Sequence, residues 1–227
     1  MEERDIDDER RLLDGIAGPV RTQTEVERSR FIATLMPVTT VDDAMDVLAE
    51  VRRTSPDASH HCSAFVIGPD GEHRRSNDDG EPGGTAGAPM LAVLQGAGIT
   101  DVIAVVTRYF GGTKLGAGGL VRASGGAVTA ALEVADRLAR VPVARFEVAV
   151  DHDRAGQLEH RLRHWADELD AAVGGAVYDA DGARYELQVP LGPGVDELRA
   201  RLAQVGIDHR LTTRGQAVRS IRRPASG

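Results

Sequence analysis

Aromatic residues are scarce in this chain, at 4% of its length, so a hydrophobic core has to rest on Val, Leu, Ile and Ala. Cysteine is scarcer still. Cys62 stands alone, which excludes an intramolecular disulfide and a cysteine-based metal cluster. No apolar run is long enough to cross a bilayer. The opening MEERDIDDERR is charged and acidic, without the apolar stretch of a signal peptide. A soluble, cytoplasmic protein is the expectation, with residues 1–18 as a flexible arm. Broad positive charge is missing too. Residues 1–140 hold 15 basic and 22 acidic side chains, and residues 141–227 hold 12 and 13, which gives −7 and −1 and the formal total of −8. A dedicated nucleic-acid binder carries a broad basic footprint. Here only local patches remain, such as Arg214, Arg219, Arg222 and Arg223. The expectation for 214–227 is a solvated, disordered basic tail.

Glycine is plentiful: 26 of 227 residues, above the usual share of roughly 7%. The glycines cluster, which points to local backbone requirements rather than general disorder. The length suits one large domain or two small ones. Residues 20–37 contain two strand-like runs. Thr40 and Asp43 form a capping-box start for an amphipathic helix over 41–53, carried by Val41, Ala44, Met45, Leu48 and Val51. A strand follows at 62–68, then a Pro-Asp-Gly turn and a polar strand at 72–76. The run VIAVVT (102–107) is continuously apolar, as in a strand buried on both faces. A long helix is expected over roughly 118–139. Gly125 and Gly126 lie inside it, each at about 1 kcal/mol against alanine. The expectation is that Gly125 packs on the sheet between Val121, Val128 and Leu132, with Gly126 facing the loops at 80–87 and 111–116.

Val141-Pro142 reads as a linker, giving domains over 19–140 and 143–213. In the second, alternation at Phe146, Val148 and Val150 reads as a strand. Helical spacing follows at Leu158, Leu162 and Trp165, then a strand near 171–178 and an Asp181-Gly182 hairpin turn. Tyr185, Leu187 and Val189 alternate again. Val195, Leu198, Leu202 and Val205 are helical with Gly206 as cap, and a last strand covers 207–213. The order βαββαβ is the ferredoxin-like split pattern, so the fold class is α/β in the α+β sense.

Two loops hold the candidate chemistry. In NDDGEPGGTAGAP (77–89), Asp78, Asp79 and Glu81 fall within four positions of a glycine-rich turn. Three readings stand open: a cation site, a phosphate cradle at a helix N-terminus if Arg74, Arg75 or Arg108 neutralises the acids, or carboxylates that cap the following helix. The capping and partner-binding readings lead. The second loop, RYFGGTKLGAGG (108–119), joins the buried strand to a helix. A lysine in such a loop is the grammar of phosphate binding, but Lys114 precedes Leu115 rather than Ser or Thr, so the GxxxxGK[ST] arrangement is absent. Tyr109 and Phe110, beside Arg108 and Lys114, can stack on a base and pair with a phosphate, or can be core with solvated cations. His60 and His61 read as surface or hydrogen-bonded histidines, and Cys62 as core. No nucleophile elbow, HExxH or Ser/His/Asp order is present, and Ser124 has no base placed near it. No catalytic residue, metal ligand or cofactor is expected. The partner- or ligand-binding candidates are Asp78, Asp79, Gly80, Glu81, Thr85, Gly87, Arg108, Tyr109, Gly111, Gly112, Lys114, Gly118 and Gly126.

The blocks HHCSAFVIG, SNDDGEPGGTAGAPML and AVVTRYFGGTKLGAGGLVRASGGAV resemble the signature segments of the IMPACT family in its bacterial YigZ-type branch. The likeness covers roughly 20–140. It implies an N-terminal domain like the second domain of ribosomal protein S five, and a C-terminal domain like the ferredoxin-like domains of elongation factor G. It implies binding to RNA, the ribosome or a protein of the translation machinery, modulation of translation and no membrane partner. Ser124 departs from the pattern, since members commonly carry an aromatic residue there. The partner-binding module that precedes this domain in eukaryotic relatives is not expected here. The alternative from fold analogy is a small-molecule phosphate-binding, kinase-like enzyme using the glycine-rich loop 111–119.

Overall fold

The computed structural model describes residues 12–225. It is an α+β structure with two sheets and five α-helices. The chain divides into two compact units. One runs to Arg140 and takes in the segment from Ile221; the other is Val141–Ser220.

In the first unit the elements are β1 (Gly15–Ile16), β2 (Val20–Val26), β3 (Ser29–Pro37), α1 (Val41–Thr54), β4 (His60–Ile67), β5 (His73–Asn77), α2 (Gly87–Gly96), β6 (Val102–Tyr109) and α3 (Gly116–Glu133). The start of β7 (Arg137–Val150) pairs with β1, Leu138 opposite Gly15. An antiparallel sheet runs in the order β2-β3-β6-β4-β5. β6 is its central strand, which explains its unbroken apolar sequence. Ile103 and Val105 meet Ala44 and Leu48 of α1. Val102, Ala104 and Val106 join the opposite core with Met90 and Leu94 of α2 and Ala127, Val128 and Ala131 of α3. The start of α1 carries the expected capping box: the Asp43 amide donates to Thr40 Oγ1 at 3.1 Å, and the Thr40 amide donates to the Asp43 carboxylate at 3.1 Å.

Two differences from the sequence reading concern α3. It ends at Glu133, short of 139, because the pairing of Arg137 and Leu138 with β1 takes those residues into a strand. Its packing also differs. Val121 is exposed, and a Cβ on Gly125 would meet Val93 and Pro89 of α2 at 3.6 and 3.8 Å, so this glycine faces a helix instead of the sheet.

The second unit continues along β7 through α4 (Ala155–Glu168), β8 (Ala172–Val173), β9 (Val177–Asp179), β10 (Gly182–Pro190), α5 (Pro193–Gln204) and β11 (Arg210–Arg223). The strands follow β11-β7-β10, with β8 and β9 on the far edge of β10. Alternate residues of β7 and β10 (Phe146, Val148, Tyr185, Leu187) pack with Leu158, Leu162, Leu198 and Leu202 of the two helices. Tyr185 is fully buried and its hydroxyl donates to the Ala155 carbonyl at 2.9 Å. Val141 and Pro142 lie within β7, where the sequence suggested a linker. Residues 214–223 are strand where a disordered tail was expected. Alternation of half-buried and exposed positions suits an edge-like strand, and Arg214 is tied to Glu147 at 2.8 Å and Arg219 to Asp170 at 3.3 Å. Of the expected arm over 1–18, residues 14–16 are bridged or paired. Residues 1–11, like 226–227 of the tail, lie outside the described residues.

Candidate functional site

The loop between β5 and α2 turns its carboxylates inward. Asp78 Oδ1 accepts from the amides of Ala86 (2.9 Å) and Gly87 (2.8 Å), and Oδ2 accepts from Gly84 (2.8 Å). It closes the start of α2 from outside the helix, because Ala86 at the N-cap has no side chain to do so. Burial pushes the Asp78 carboxyl up, but the three amides outweigh it and hold the group below its ordinary 3.8. Asp79, in a left-handed conformation at φ 46°, accepts the His61 amide at 2.7 Å and pairs with Arg52 at 2.5 Å. Glu81 is buried, and its Oε1 lies 2.5 Å from Arg108 Nη1 and 3.8 Å from His60 Nε2. Thr85 is buried with its hydroxyl on the Pro82 carbonyl at 2.6 Å. Gly80 is an exposed turn residue at φ 86°. Gly87 is required by contact, since a Cβ there would fall 2.7 Å from the Asn77 amide nitrogen. Among the open readings of this loop, the helix-capping one describes Asp78. Among the described residues no cluster of three His, Cys, Asp or Glu is placed to hold a metal ion.

Beneath the loop, Cys62 Sγ donates to the Asp78 carbonyl at 3.1 Å. Burial, then Glu81, Asp79 and Asp78, push this thiol up to about 12, so it is an inert core group. His61 is buried beside Thr107 Oγ1 at 3.2 Å, and burial holds it below its ordinary 6.5 against the pull of Asp79.

The loop between β6 and α3 is built differently. Arg108 is buried at the end of β6, bonded to Glu81 through Nη1, with Nη2 3.5 Å from Ser29 Oγ. Its guanidinium lies 5.4 Å from the Phe31 ring centroid and 5.6 Å from that of Phe110. Gly111 sits on the β2–β3 turn: its amide donates to Ser29 Oγ at 3.1 Å, and a Cβ would come within 2.1 Å of the Arg28 carbonyl. Arg28 Nη2 donates to Thr113 Oγ1 at 3.0 Å. Gly112 and Gly116 take φ of 88° and 70°. The chain then enters α3, whose N-cap is Leu115. No side chain caps this helix and no acid stands in its first turn. Phe110, half exposed, and the exposed Lys114 border a cleft of about 230 Å³, lined also by Glu81, Arg108, Leu115 and Leu120.

The fold thus brings Glu81, Arg108 and Lys114 together. Gly118 stands exposed in the first turn of α3, where a Cβ would make only an ordinary 3.5 Å contact with Arg122. Tyr109 turns elsewhere: Arg30 lies 4.5 Å over its ring and its hydroxyl donates to Asp57 at 3.4 Å. Gly126 does not join the site. It lies ten residues into α3, roughly 15 Å along the axis at 1.5 Å per residue, and nothing approaches its Cβ position within 4 Å. Sequence reasoning missed Ser29, Leu115 and Leu120. Ser29 had no local signal, since it reaches the site only through the antiparallel register of β3 with β6. Leu115 and Leu120 are apolar and lie outside the Val121, Val128 and Leu132 spacing on which the helix was read, so neither carried a binding signal.

A protein-family profile for the Impact N-terminal domain matches residues 27–132, which contain both loops. IMPACT family member YvyE of Bacillus subtilis is 44% identical over 61% of this chain, and the match spans 64% of that protein's length. IMPACT family member YigZ of Escherichia coli is 41% identical over 64% of this chain and 72% of its own. An IMPACT family member of Thermus thermophilus is 38% identical over 74% and 87%. A crystal structure of a hypothetical protein matches 89% of this chain and 97% of its own, at 35% identity and a TM-score of 0.54. With the identities concentrated on proteins of one family and its defining domain covering both loops, the chain belongs to the IMPACT family.

Proposed function

We propose that the chain is a binding protein without catalysis, which associates with RNA of the ribosome or a related translation assembly through the β6–α3 loop and so modulates translation. The observation that carries this reading is the opposite fate of charge in the two loops. Asp78, Asp79 and Glu81 are held by internal partners. Lys114, Phe110 and the uncapped start of α3 face outward. Cations beside an exposed aromatic ring and open helix amides suit phosphate and base together. The overall acidity does not oppose this, because the local field at the loop is set within a Debye length of about 8 Å.

The folds of the two units agree with such a role. We read the first as resembling the second domain of ribosomal protein S five, and the second as ferredoxin-like and similar to elongation factor G domains. The strand order β11-β7-β10 with β8 and β9 outermost supports the second likeness. On this reading the protein works in the cytoplasm. Among the described residues no helix is long and apolar enough to cross a membrane.

Co-sedimentation of the full chain with ribosomes from lysate, at low and at high salt, tests the proposal. Association at low salt that fades as salt rises is expected for phosphate contacts. A chain that stays in the supernatant at every salt concentration overturns it.

A further inference from the structure

We propose that β2 is an association surface for a second copy of this chain, with the two β2 strands pairing antiparallel about a two-fold axis at Gln23. The pairing does not depend on the ribosome reading above.

β2 forms one edge of the first unit's sheet, and among the described residues its only strand partner is β3. Its sequence, VRTQTEV, is the same read from either end except that Arg21 and Glu25 trade places. Two copies laid antiparallel about Gln23 therefore set Val20 opposite Val26, Arg21 opposite Glu25, Thr22 opposite Thr24 and Gln23 opposite itself. Opposite charges, paired threonines and paired valines are all favourable cross-strand neighbours. The contact uses the same patch on both copies, as a two-fold dimer requires.

The backbone is in phase with that pairing. The β2–β3 turn consists of Glu27 and Arg28, at φ 48° and 64°, the geometry of a tight hairpin. In a two-residue hairpin the closing pair, here Val26 and Ser29, is hydrogen-bonded, and bonded and non-bonded pairs then alternate. The amides and carbonyls of Val20, Thr22, Thr24 and Val26 thus point to β3, and those of Arg21, Gln23 and Glu25 point out of the sheet edge. Among the described residues no backbone hydrogen bond reaches these outward groups. In the proposed register the same three residues meet, so each outward amide finds a carbonyl. Their side chains are exposed. Glu25 remains available, because Arg30 opposite it on β3 lies over the Tyr109 ring at 4.5 Å. α3 lies over β2 and β3 together, so the α3 helices of two copies would flank the axis about 10 Å apart, an ordinary packing distance.

The opposite edge of the sheet shows the contrast. β5 is exposed along its whole length, HRRSN, and pairing it with a copy about its middle residue sets Arg75 against Arg75. Charges placed in this way guard an edge against association. On β2 the charges stand at comparable edge positions with signs that attract. A contact of seven residues a side is well below the roughly 20–30 of a stable interface. The dimer is therefore weak and concentration-dependent, and its exposed ion pairs make it sensitive to salt.

Sedimentation velocity of the full chain from micromolar to millimolar concentration tests this. The expected result is a monomer that passes to a dimer as concentration rises, and less so in high salt. Arg21→Glu and Glu25→Arg, each alone, set like charges opposite one another and should weaken dimerisation roughly tenfold or more. The double variant Arg21→Glu with Glu25→Arg restores the pairing and should dimerise as the wild type does. Gln23→Pro removes an amide that β3 does not use, and proline is tolerated on such an edge. This variant should keep its fold and stay monomeric. Amide hydrogen exchange gives the residue-level readout: the amides of Arg21, Gln23 and Glu25 should exchange fast in dilute solution and slow down as the dimer forms. A chain that is monomeric at millimolar concentration, a dimer that survives Gln23→Pro, or a double variant as monomeric as the single ones overturns the inference. So does protection of those three amides by ribosomes but not by concentration, which assigns the edge to a foreign strand.

Discussion

The β5–α2 and β6–α3 loops are both glycine-rich and both deliver the chain into a helix of the first unit, yet they treat the helix start in opposite ways. At α2, Asp78 returns from eight residues upstream to fill the helix N-terminus with its own carboxylate. At α3 nothing fills it. The first loop satisfies itself and is a structural device; the second leaves its helix start without a side-chain cap or a first-turn acid, which is why the proposed binding is placed there. A crowd of acids or glycines in a sequence therefore does not locate a site. The structural difference between the two loops lies in which helix start the chain itself closes.

The sharpest way to break this contrast is at the Glu81–Arg108 pair. Glu81→Ala leaves a buried guanidinium without its counter-charge, which typically costs about 3–5 kcal/mol. The first unit should lose a large part of its stability, read as a drop in the denaturation midpoint. A variant as stable as the wild type would mean that the pair does not hold the two loops. Asp78→Ala comes next. It orphans three amides at the start of α2, at about 2 kcal/mol, and melting should fall while the α3 loop keeps its binding. For this reason a combined Asp78→Asn, Asp79→Asn and Glu81→Gln variant should unfold readily.

Acid should strike the same loop. His61 titrates below 6.5 in the folded state, so the unfolded chain takes up its proton first and stability falls as pH drops from about 6.5. Asp78, held below 3.8, contributes stability that is present above 3.8 and is lost as pH falls through its depressed value. Thermal melts from pH 8 to pH 3 should therefore decline in two steps, and Asp78→Asn should flatten the lower one. A melting temperature constant from pH 7 to pH 5 contradicts the role given to His61.

Much of this was legible in the residues. The capping box at Thr40 and Asp43, the two-faced burial of β6 and the order of elements in the second unit follow local patterns that the fold preserves. What was not legible depends on pairing across distance. The apolar spacing of α3 runs on past Glu133, and only the register of Leu138 against Gly15 ends it. The arginines of the last strand look like a solvated tail until Glu147 and Asp170 are brought beside them. In the site, residue types pointed to Arg108 and Lys114. Whether each acid of 78–81 faced inward could not be read from spacing, because all three lie on an irregular turn whose direction is set by contacts with β4 and α2.

The two interior glycines of α3 give a smaller effect that refines the account. Gly126→Ala enters open space and should stabilise the helix by up to about 1 kcal/mol. Gly125→Leu should push against Val93 and Pro89 and cost about 1–3 kcal/mol. Equal melting temperatures for the two variants would contradict the packing of α3 on α2.

The central claim is that an open helix start makes the β6–α3 loop the binding face, and Gly118→Asp tests it most directly. The position is exposed and has room for a side chain. An acid there closes the N-terminus of α3 much as Asp78 closes that of α2, at no expected loss of stability and a gain of about 0.3–1 kcal/mol from the helix dipole. The account predicts that Gly118→Asp melts at or above the wild-type temperature and no longer co-sediments with ribosomes at low salt. Wild-type co-sedimentation by a Gly118→Asp protein of unchanged stability would contradict it.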